Sequence, residues 1–299
     1  MICCEQVVKK YRKKYALHNI SFQIEEPKII ALIGRNGAGK STLMKLLAGH
    51  QKPTGGTIEV LGEKPFNSLY VSTNTIYTEE HMAFSSSFTV SQILQQGKLF
   101  YQNWQGELAE RLLAYANIPL KSHPKELSKG QYATLLLVFA LSTRCAVTLL
   151  DEPMNGMGEA IRTDFYRAIL KEYIAHPRLI MISSHYLAEM EHLIEDVLLI
   201  KRGVVELYNS LDAVQTMAVK IRGEKSVILE HVKEAGILAQ RDGAPFYEAI
   251  VEASMVNLAA LSSRGVQVLP VSASEICRVL TSDGEGGIDD VFQSYDSLV

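Results

Sequence analysis

The apolar and polar positions in the first fifth of the chain predict a strand, a glycine-rich loop and a helix, in that order. Residues 28–33 (KIIALI) form a continuous apolar run, which is typical of a strand buried in a parallel sheet. Residues 41–49 carry apolar side chains at helical spacing and end at Gly49, a common helix stop. With a shorter strand predicted at 22–24, this pattern indicates a β-rich N-terminal part that leads into an α/β unit.

Two later apolar runs predict further buried strands, and polar side chains follow each of them. Residues 146–150 lead into Asp151, and residues 179–182 lead into two serines and His185. Open α/β sheets place their chemistry at the carboxyl ends of parallel strands. We therefore expect Asp151 and His185 to belong to a functional site.

Helical periodicity dominates the middle of the chain and fades towards its end. Residues 85–144 predict a helical insertion with three patterns, at 90–100, 107–116 and 131–141. Short strand patterns then appear at 266–271 and around a turn predicted at Asp242 and Gly243. The second half of the chain is therefore interpreted as the end of an α/β domain followed by a smaller α+β unit.

The length of the chain supports a division into two domains. At about 150 residues per domain, 299 residues suggest two. We expect residues 1–215 to form the larger domain and residues 216–299 to form the small C-terminal accessory domain. The glycine-rich stretch 282–287 (SDGEGG) is interpreted as a flexible loop.

Composition excludes several classes of protein. Lys and Arg number 30 and Asp and Glu number 33, and the resulting net charge of −3 argues against a dedicated nucleic-acid binder. A hydrophobic content of 47% with 21% charged residues is that of a folded globular protein and excludes bulk disorder. We expect a soluble body without nucleic acid as a partner.

The N-terminal sequence and the cysteines indicate a protein of the reducing cytosol. No apolar segment of signal-peptide length opens the chain, and no apolar run approaches the roughly 20 residues that span a bilayer. Any membrane role would then need a separate partner. The cysteines lack metal-site spacing and are interpreted as ordinary thiols: Cys3, Cys4, Cys145 and Cys277.

The loop between the first predicted buried strand and its helix matches the phosphate-binding pattern G-x-x-x-x-G-K-[ST]. Glycines in this pattern let backbone N–H groups approach phosphate oxygens, the lysine adds positive charge at the β- and γ-phosphates, and the serine hydroxyl binds Mg²⁺. The predicted phosphate loop consists of Gly34, Arg35, Asn36, Gly37, Ala38, Gly39, Lys40, Ser41 and Thr42.

Asp151 and Glu152 supply two adjacent carboxylates at the end of a predicted strand. Because side chains alternate along a strand, the two carboxylates point in different directions and suit different tasks. We assign Asp151 to the Mg²⁺ shell and Glu152 to the orientation or deprotonation of an attacking water.

The order of these motifs resembles the ATP-binding subunit of an ABC transporter, over roughly residues 1–215. Residues 127–131 (LSKGQ), here called the signature turn, resemble the LSGGQ signature of ATP-binding cassette ATPases. They precede VTLLDEP and a histidine after LIMISS, in the order of that family. The resemblance implies a P-loop NTPase fold of the ABC type, MgATP as ligand, and ATP hydrolysis as the activity.

The resemblance also implies a head-to-tail dimer. In that arrangement the signature turn of one subunit faces the γ-phosphate bound to the phosphate loop of the other. A helix N-terminus with free N–H groups and partial positive charge is suited to this contact. The residues that the resemblance places there are Ser128, Lys129, Gly130 and Gln131.

Two further positions take roles from the same resemblance. Tyr11 matches the aromatic residue that stacks on adenine, although Tyr15 competes for that assignment. His185 matches the switch histidine that contacts the γ-phosphate. With Glu152 and Lys40, His185 completes the expected catalytic set.

Three positions depart from the family pattern. Lys129 replaces the first glycine of the signature. Gly158 stands where the family usually has an aspartate, whose carboxylate helps to couple the two sites across the dimer. The stretch 75–81 has no glutamine, so Glu79 or Glu80 is the nearest equivalent of the family's glutamine loop and a candidate Mg²⁺ contact. A glutamate there adds negative charge beside a triphosphate and cannot donate a hydrogen bond. We expect these departures to affect the hydrolysis rate more than nucleotide binding.

The favoured function is an ATP-hydrolysing subunit that drives a separately encoded membrane permease, as a homodimer or as a heterodimer with a second cassette subunit. The single cassette and an ending (IDDVFQSYDSLV) similar to that of bacterial exporter subunits favour export over import. The protein would then lie in the cytoplasm, peripheral to the inner face of the membrane. Some of the aromatics Phe88, Phe100, Tyr101 and Trp104 are candidates for the permease contact.

Two alternatives remain open from the sequence. The departures at Gly158 and in the glutamine-loop region allow a poorly hydrolysing, nucleotide-gated regulatory subunit. A cassette ATPase without a membrane partner, acting on ribosomes or DNA, is less favoured because the chain has one cassette and no sustained heptads.

Overall fold

The fold is built on three sheets in a computed structural model that describes residues 1–82, 84–185, 187–243 and 246–282. The strands are β1 (Ile2–Tyr11), β2 (Lys14–Ile24), β3 (Ile29–Ile33), β4 (Gly55–Val60), β5 (Thr75–Thr78), β6 (Val147–Asp151), β7 (Leu179–Ser184), β8 (Asp196–Lys201), β9 (Val204–Ser210), β10 (Ala218–Gly223), β11 (Ile237–Gly243), β12 (Phe246–Glu252) and β13 (Gln267–Pro270). The helices are α1 (Lys40–Leu47), α2 (Leu69–Asn74), α3 (Val90–Phe100), α4 (Gly106–Tyr115), α5 (Lys129–Thr143), α6 (Glu159–Ala175), α7 (Leu211–Thr216), α8 (Lys225–His231), α9 (Leu258–Ser263) and α10 (Ala273–Thr281). Short 3₁₀ turns lie at Pro124–Glu126, Leu187–Glu189, Glu234–Gly236 and Ala253–Met255.

The central sheet has the strand order β5-β6-β7-β3-β8-β9, and only the last pair is antiparallel. All residues of β3, β6 and β7 are buried, which explains their continuous apolar sequences. Asp151 pairs in register with Ser183, and Ile33 pairs with Ser184. The carboxyl ends of these three strands therefore meet at one edge, where the phosphate loop leaves β3.

A second, antiparallel sheet is formed by the N-terminal strands in the order β2-β1-β4. The first strand predicted from the sequence was at 22–24, which left Tyr11 before any strand; this was wrong, because Tyr11 is the last residue of β1. The basic residues that follow Lys9 obscured the strand pattern, and register shifts interrupt the pairing of β1 with β2. Ile2 and Val7 are buried, so β1 contributes to the core in spite of its basic end.

The three helices predicted in the middle of the chain are present as α3, α4 and α5. Helix α5 is apolar all round, and its residues from Thr134 to Thr143 are all buried. A helix of this kind belongs inside a core. It packs against α4 and β5, and it carries the signature turn at its N-terminus.

The C-terminal part contains an antiparallel sheet of order β11-β12-β10-β13 that has a small core of its own with α8 and α9. Helix α10 returns to the larger part of the chain, where Ile276 and Cys277 join the same core as Leu199 and Val214. The ammonium group of Lys201 donates to the carbonyl oxygens of Leu280 (2.7 Å) and Ser282 (2.9 Å) and so caps the end of α10.

Some sequence predictions fall on the edge of the described residues or beyond it. Strand β11 ends at Gly243 and β12 begins at Phe246, so the predicted turn residues Asp242 and Gly243 close a strand and residues 244–245 lie outside the description. Most of the predicted loop 282–287 and the ending 288–299 also lie outside the described residues. Within the described ranges, none of the helices combines the length and the hydrophobicity needed to cross a bilayer.

Candidate nucleotide-binding site

The phosphate loop connects β3 to α1 and takes a backbone course that requires glycine. Gly37 and Gly39 have φ angles of +80° and +113°, in the left-handed region that favours glycine. A Cβ atom at Gly39 would also lie 2.6 Å from a side-chain carbon of Leu17, closer than carbon atoms approach. A loop of this kind at a helix start is suited to binding an anion.

A cleft of about 510 Å³ lies in front of this loop. Most of the predicted site residues line this cleft, although they come from separate segments of the chain. Its walls are formed by Tyr11, Lys14, Ala16, Arg35, Asn36, Gly37, Ala38, Gly39, Lys40, Ser41, Thr42, Asp151 and Glu152.

Lys40 is held inside the cleft, with 6% of its surface exposed. Its ammonium group donates to the carbonyl oxygen of Gly34 at 2.6 Å and lies 3.5 Å from a carboxylate oxygen of Glu152. Burial among these acceptors keeps the positive charge at the end of the loop, where a phosphate would arrive.

Asp151 is fixed by hydrogen bonds to both of its carboxylate oxygens. Ser183 donates from its hydroxyl to Oδ1 at 2.5 Å, and Tyr77 donates from its hydroxyl to Oδ2 at 3.2 Å. Burial raises the pKa of Tyr77 far above its ordinary value, and the charges of Asp151 and Glu79 raise it further. Tyr77 therefore remains a hydrogen-bond donor. Sequence reasoning missed Tyr77, whose only signal was its place in the short apolar strand β5.

Glu152 occupies a strained position between two other predicted site residues. Its φ angle is +49°, which is unusual for a residue other than glycine. Its backbone N–H donates to the Ser183 hydroxyl at 2.9 Å, and one carboxylate oxygen lies 3.0 Å from His185 Nδ1. The backbone is held in this conformation while the carboxylate faces His185 on one side and Lys40 on the other.

Glu79, rather than Glu80, faces the carboxylate group of Asp151. The Tyr77 hydroxyl lies 3.2 Å from Glu79 Oε2 and the same distance from Asp151. Lys45, on α1, pairs with Glu79 at 2.7 Å and balances its negative charge. Lys45 therefore reduces the repulsion that the sequence predicted between this glutamate and a triphosphate. Lys45 was not among the site residues predicted from the sequence.

None of the signature-turn residues lines the cleft in front of the phosphate loop, and Lys129 lines an adjoining cavity of about 140 Å³ that Asp151 and Glu152 also line. Ser128 caps α5: its hydroxyl accepts from the N–H of Gln131 at 3.2 Å, and its own N–H donates to the Gln131 side chain at 3.0 Å. Lys129 is exposed and Gly130 is half-buried. The signature turn is therefore accessible at the surface, as the head-to-tail dimer implied by the resemblance requires.

Tyr11 lines the cleft next to the phosphate loop, with 43% of its surface exposed. Its hydroxyl donates to the side chain of Gln51, and the ammonium group of Lys9 lies 5.1 Å from the ring centre. Tyr15 packs edge-on against His18 instead, with ring centres 5.5 Å apart. The position of Tyr11 suits contact with a nucleotide base, which stays a prediction.

The residues expected to hold Mg²⁺ fit a site that is completed by phosphate. Ser41 lies exposed in the first turn of α1, and Asp151 reaches the same cleft. In the described part of the chain, no three His, Cys, Asp or Glu side chains form a metal cage on their own. One hydroxyl and one fixed carboxylate match the sparse protein ligand set that Mg²⁺ uses with a bound triphosphate.

Comparison with known proteins identifies the family of this chain. The ABC transporter family profile matches residues 17–155. An uncharacterized ABC transporter ATP-binding protein of Bacillus subtilis, YxlF, is 29% identical over 261 residues, which cover 84% of this chain and 83% of that protein. Nod factor export ATP-binding protein I of Burkholderia lata is 30% identical and covers 66% of each chain. The aliphatic sulfonates import ATP-binding protein SsuB of Escherichia coli is 26% identical and covers 77% of this chain and 90% of its own.

Solved structures share the fold. The ATP-binding subunit of an ABC transporter superimposes with a TM-score of 0.65 at 24% identity, covering 72% of this chain and 92% of the other. A dimeric ATP-binding cassette in a post-hydrolysis state, bound to ADP and Pi, gives a TM-score of 0.62 at 19% identity, covering 71% and 99%. The protein belongs to the ATP-binding cassette family and is an ATP-binding ATPase subunit of an ABC transporter.

Proposed function

We propose that this subunit hydrolyses MgATP to drive a separate membrane permease in the direction of export. The observation that carries the proposal is the cleft in which the phosphate loop, Asp151 and Glu152 meet, with His185 beside Glu152. Lys40 and the loop amides bind the phosphates, and Ser41 and Asp151 hold Mg²⁺. When bound, Mg²⁺ neutralises charge on the phosphate oxygens.

Glu152 and His185 complete the proposed chemistry. Glu152 orients the attacking water and accepts its proton, and His185 stabilises charge on the transferred phosphoryl group. The hydrogen bond between the two side chains sets the direction of the Glu152 carboxylate before the substrate enters. The protein therefore contributes positioning and electrostatic stabilisation.

The proposed active form is a head-to-tail dimer. Ser128 is exposed and Gly130 half-buried, neither lines the cleft of the same chain, and the start of α5 offers them the partial positive charge of a helix N-terminus. Each cleft would then be closed by the signature turn of the other subunit. A homodimer and a pair with a second cassette subunit satisfy this arrangement equally well.

The permease contact is proposed at the end of α3. Leu99 and Phe100 are 75% and 68% exposed there, which is unusual for large apolar side chains. Tyr101 and Trp104 are partly buried and pack against Phe139 of the core. This contact would hold the subunit on the cytoplasmic face of a membrane.

The proposed domain division is residues 1–215, with the helical subdomain at about 85–144, and residues 216–299. The sheet formed by β10 to β13 lies within the second part and has its own core. Ile250 and Ile276 of the second part pack into the larger core of the first, so the two parts are in firm contact.

Relatives include both an export protein and an import protein, so transport direction needs a direct measurement. The tagged chain would be purified from detergent-solubilised membranes, its permease identified, and the complex placed in vesicles with the ATPase outside. Added ATP should move a labelled cargo into the vesicle lumen, the equivalent of export. Movement out of the lumen would establish import, and recovery of no permease would favour the alternative without a membrane partner.

A further inference from the structure

Two adjacent carboxylates, Glu79 and Glu80, connect to opposite functional parts of the same chain. Glu79 pairs with Lys45 and shares the Tyr77 hydroxyl with Asp151, a residue that lines the nucleotide cleft. Glu80 pairs instead with Lys129 of the signature turn at 2.9 Å. One peptide bond therefore separates a contact with the cleft from a contact with the surface that serves the other subunit.

Glu80 also reaches the loop that follows the catalytic carboxylates. Glu80, Lys129 and Asn155 line the same cavity. The ion pair between Glu80 and Lys129 therefore lies beside a residue only three positions after Glu152.

The Lys129 side chain covers the same loop. A Cβ atom at Gly156 would lie 2.8 Å from Lys129 Cγ, and one at Gly130 would lie 2.4 Å from the Gly156 carbonyl oxygen. The start of α5 therefore packs on Gly156 without room for side chains. Tyr132, one turn further, donates from its hydroxyl to the carbonyl oxygen of Met82.

We propose that Glu80 and Lys129 form a positioning pair that fixes the signature turn relative to the nucleotide cleft of its own chain. The inference rests on the proposed dimer, because the turn acts on the nucleotide of the other subunit. The pair holds Ser128 and Gly130 in the orientation needed for that contact. Lys129, which departs from the family pattern, is the residue that makes the pair with Glu80.

The pair is a surface pair and should add little to overall stability. The side chains of Lys129 and Glu80 are 61% and 39% exposed, and exposed ion pairs have small effects on unfolding. Its influence should therefore be visible in dimer formation and weak in thermal melting. This difference separates a positioning role from a merely structural one.

The test uses the full chain in a Glu152→Gln background, so that hydrolysis does not reopen dimers. Glu80→Lys places two cations together. Glu80→Gln and Lys129→Gln each remove one partner, and their double variant completes a double-mutant cycle. Glu107→Gln is the matched control, since Glu107 forms an exposed ion pair with Arg111 elsewhere in the helical segment. Fluorescent ATP binding to dilute monomer and ATP-dependent dimerisation by sedimentation would be measured for each variant.

We expect Glu80→Lys to raise the protein concentration for half-maximal dimerisation about tenfold, because loss of the pair is joined by like-charge repulsion. Glu80→Gln should weaken dimerisation when Lys129 is present and have no further effect in Lys129→Gln, as loss of a pairwise interaction requires. Monomer binding of ATP should stay unchanged in Glu80→Lys and Glu107→Gln. Normal dimerisation of Glu80→Lys, or an equal effect of Glu80→Gln with and without Lys129, would overturn the positioning pair. A parent that stays monomeric at saturating ATP would instead overturn the proposed dimer and the inference with it.

Discussion

The Glu152 carboxylate bridges His185 and Lys40. One oxygen lies 3.0 Å from His185 Nδ1 and the other lies 3.5 Å from Lys40 Nζ. The backbone of Glu152 is held at a positive φ angle by its hydrogen bond to Ser183. The residue proposed to position water is therefore oriented through both its side chain and its main chain before ATP binds.

Replacing Glu152 by glutamine should stop turnover and preserve nucleotide binding. The amide keeps the size of the side chain but cannot accept the proton of water, so hydrolysis should fall by about 100-fold or more. Phosphate release and ATP-dependent dimerisation by size-exclusion chromatography would be measured together. Accumulation of an ATP-bound dimer is expected, and turnover close to that of the parent would remove Glu152 from its proposed role.

Loss of Lys40 should act on binding itself. Its buried ammonium group is the cation proposed to bind the phosphates, and the loss of charged hydrogen bonds of this kind should make Lys40→Ala bind ATP about 100-fold more weakly. Titration with a fluorescent ATP analogue would measure the change. Lys13→Ala removes the same charge from the exposed turn between β1 and β2 and should bind ATP normally. Equal weakening in both variants would indicate a general charge effect.

Tyr11 and Tyr15 can be separated by their effect on ATP affinity. Stacking of a base on an aromatic ring is worth about 1–3 kcal/mol, so Tyr11→Ala should weaken ATP binding about tenfold. Tyr11→Phe keeps the ring, loses the hydroxyl bond to Gln51 and should bind nearly as the parent does. Tyr15→Ala is the control, because that ring packs on His18 outside the cleft wall. A larger effect of Tyr15→Ala would reverse the assignment.

Those parts of the site that are continuous in sequence could be predicted before the fold was known. The phosphate loop, the pair Asp151 and Glu152, and the signature turn each carry their chemistry within a few residues. Their arrangement along a strand end or a helix start follows from local apolar patterns. The fold class followed from the same patterns, because strands, loop and helices alternate as in a parallel α/β sheet.

The supporting contacts could not be predicted because they join residues far apart in the chain. Tyr77 reaches Asp151 across 74 positions, and Lys45 of α1 pairs with Glu79, which directly follows β5. Strand β1 was hidden for a different reason. Its lysines and its irregular pairing with β2 remove the alternation by which a strand is recognised.

The cysteines should differ sharply in reactivity. Burial raises the pKa of Cys145 to about 11, and burial raises the pKa values of Cys4 and Cys277 to about 12. At pH 8 these thiols are protonated and covered, whereas Cys3 is partly exposed. A thiol reagent should modify one cysteine rapidly in the native protein and four in denaturant. Rapid modification of Cys277 in particular would contradict the packing of α10 on the larger core.

Variants at Gly158 can distinguish an effect on the stability of the fold from an effect on ATP turnover. It is the N-cap of α6, has ordinary angles of φ −68° and ψ 152°, and makes no side-chain cap. A Cβ atom there would meet nothing within 4 Å, so larger residues fit. An aspartate at this position would accept an N–H bond from the first turn of α6 and complement its dipole.

Gly158→Asp should therefore exceed Gly158→Ala in stability by about 1 kcal/mol, the usual advantage of a capping side chain. For a protein of this size the melting temperature should differ by about 2–4 °C, measured by calorimetry on both variants. The alanine variant shares the added Cβ and lacks the carboxylate, so a rise in ATP turnover confined to Gly158→Asp would come from the carboxylate at the proposed dimer contact. Equal turnover at unequal melting temperatures would show that the aspartate acts as a cap alone, and that Gly158 does not limit hydrolysis in this chain.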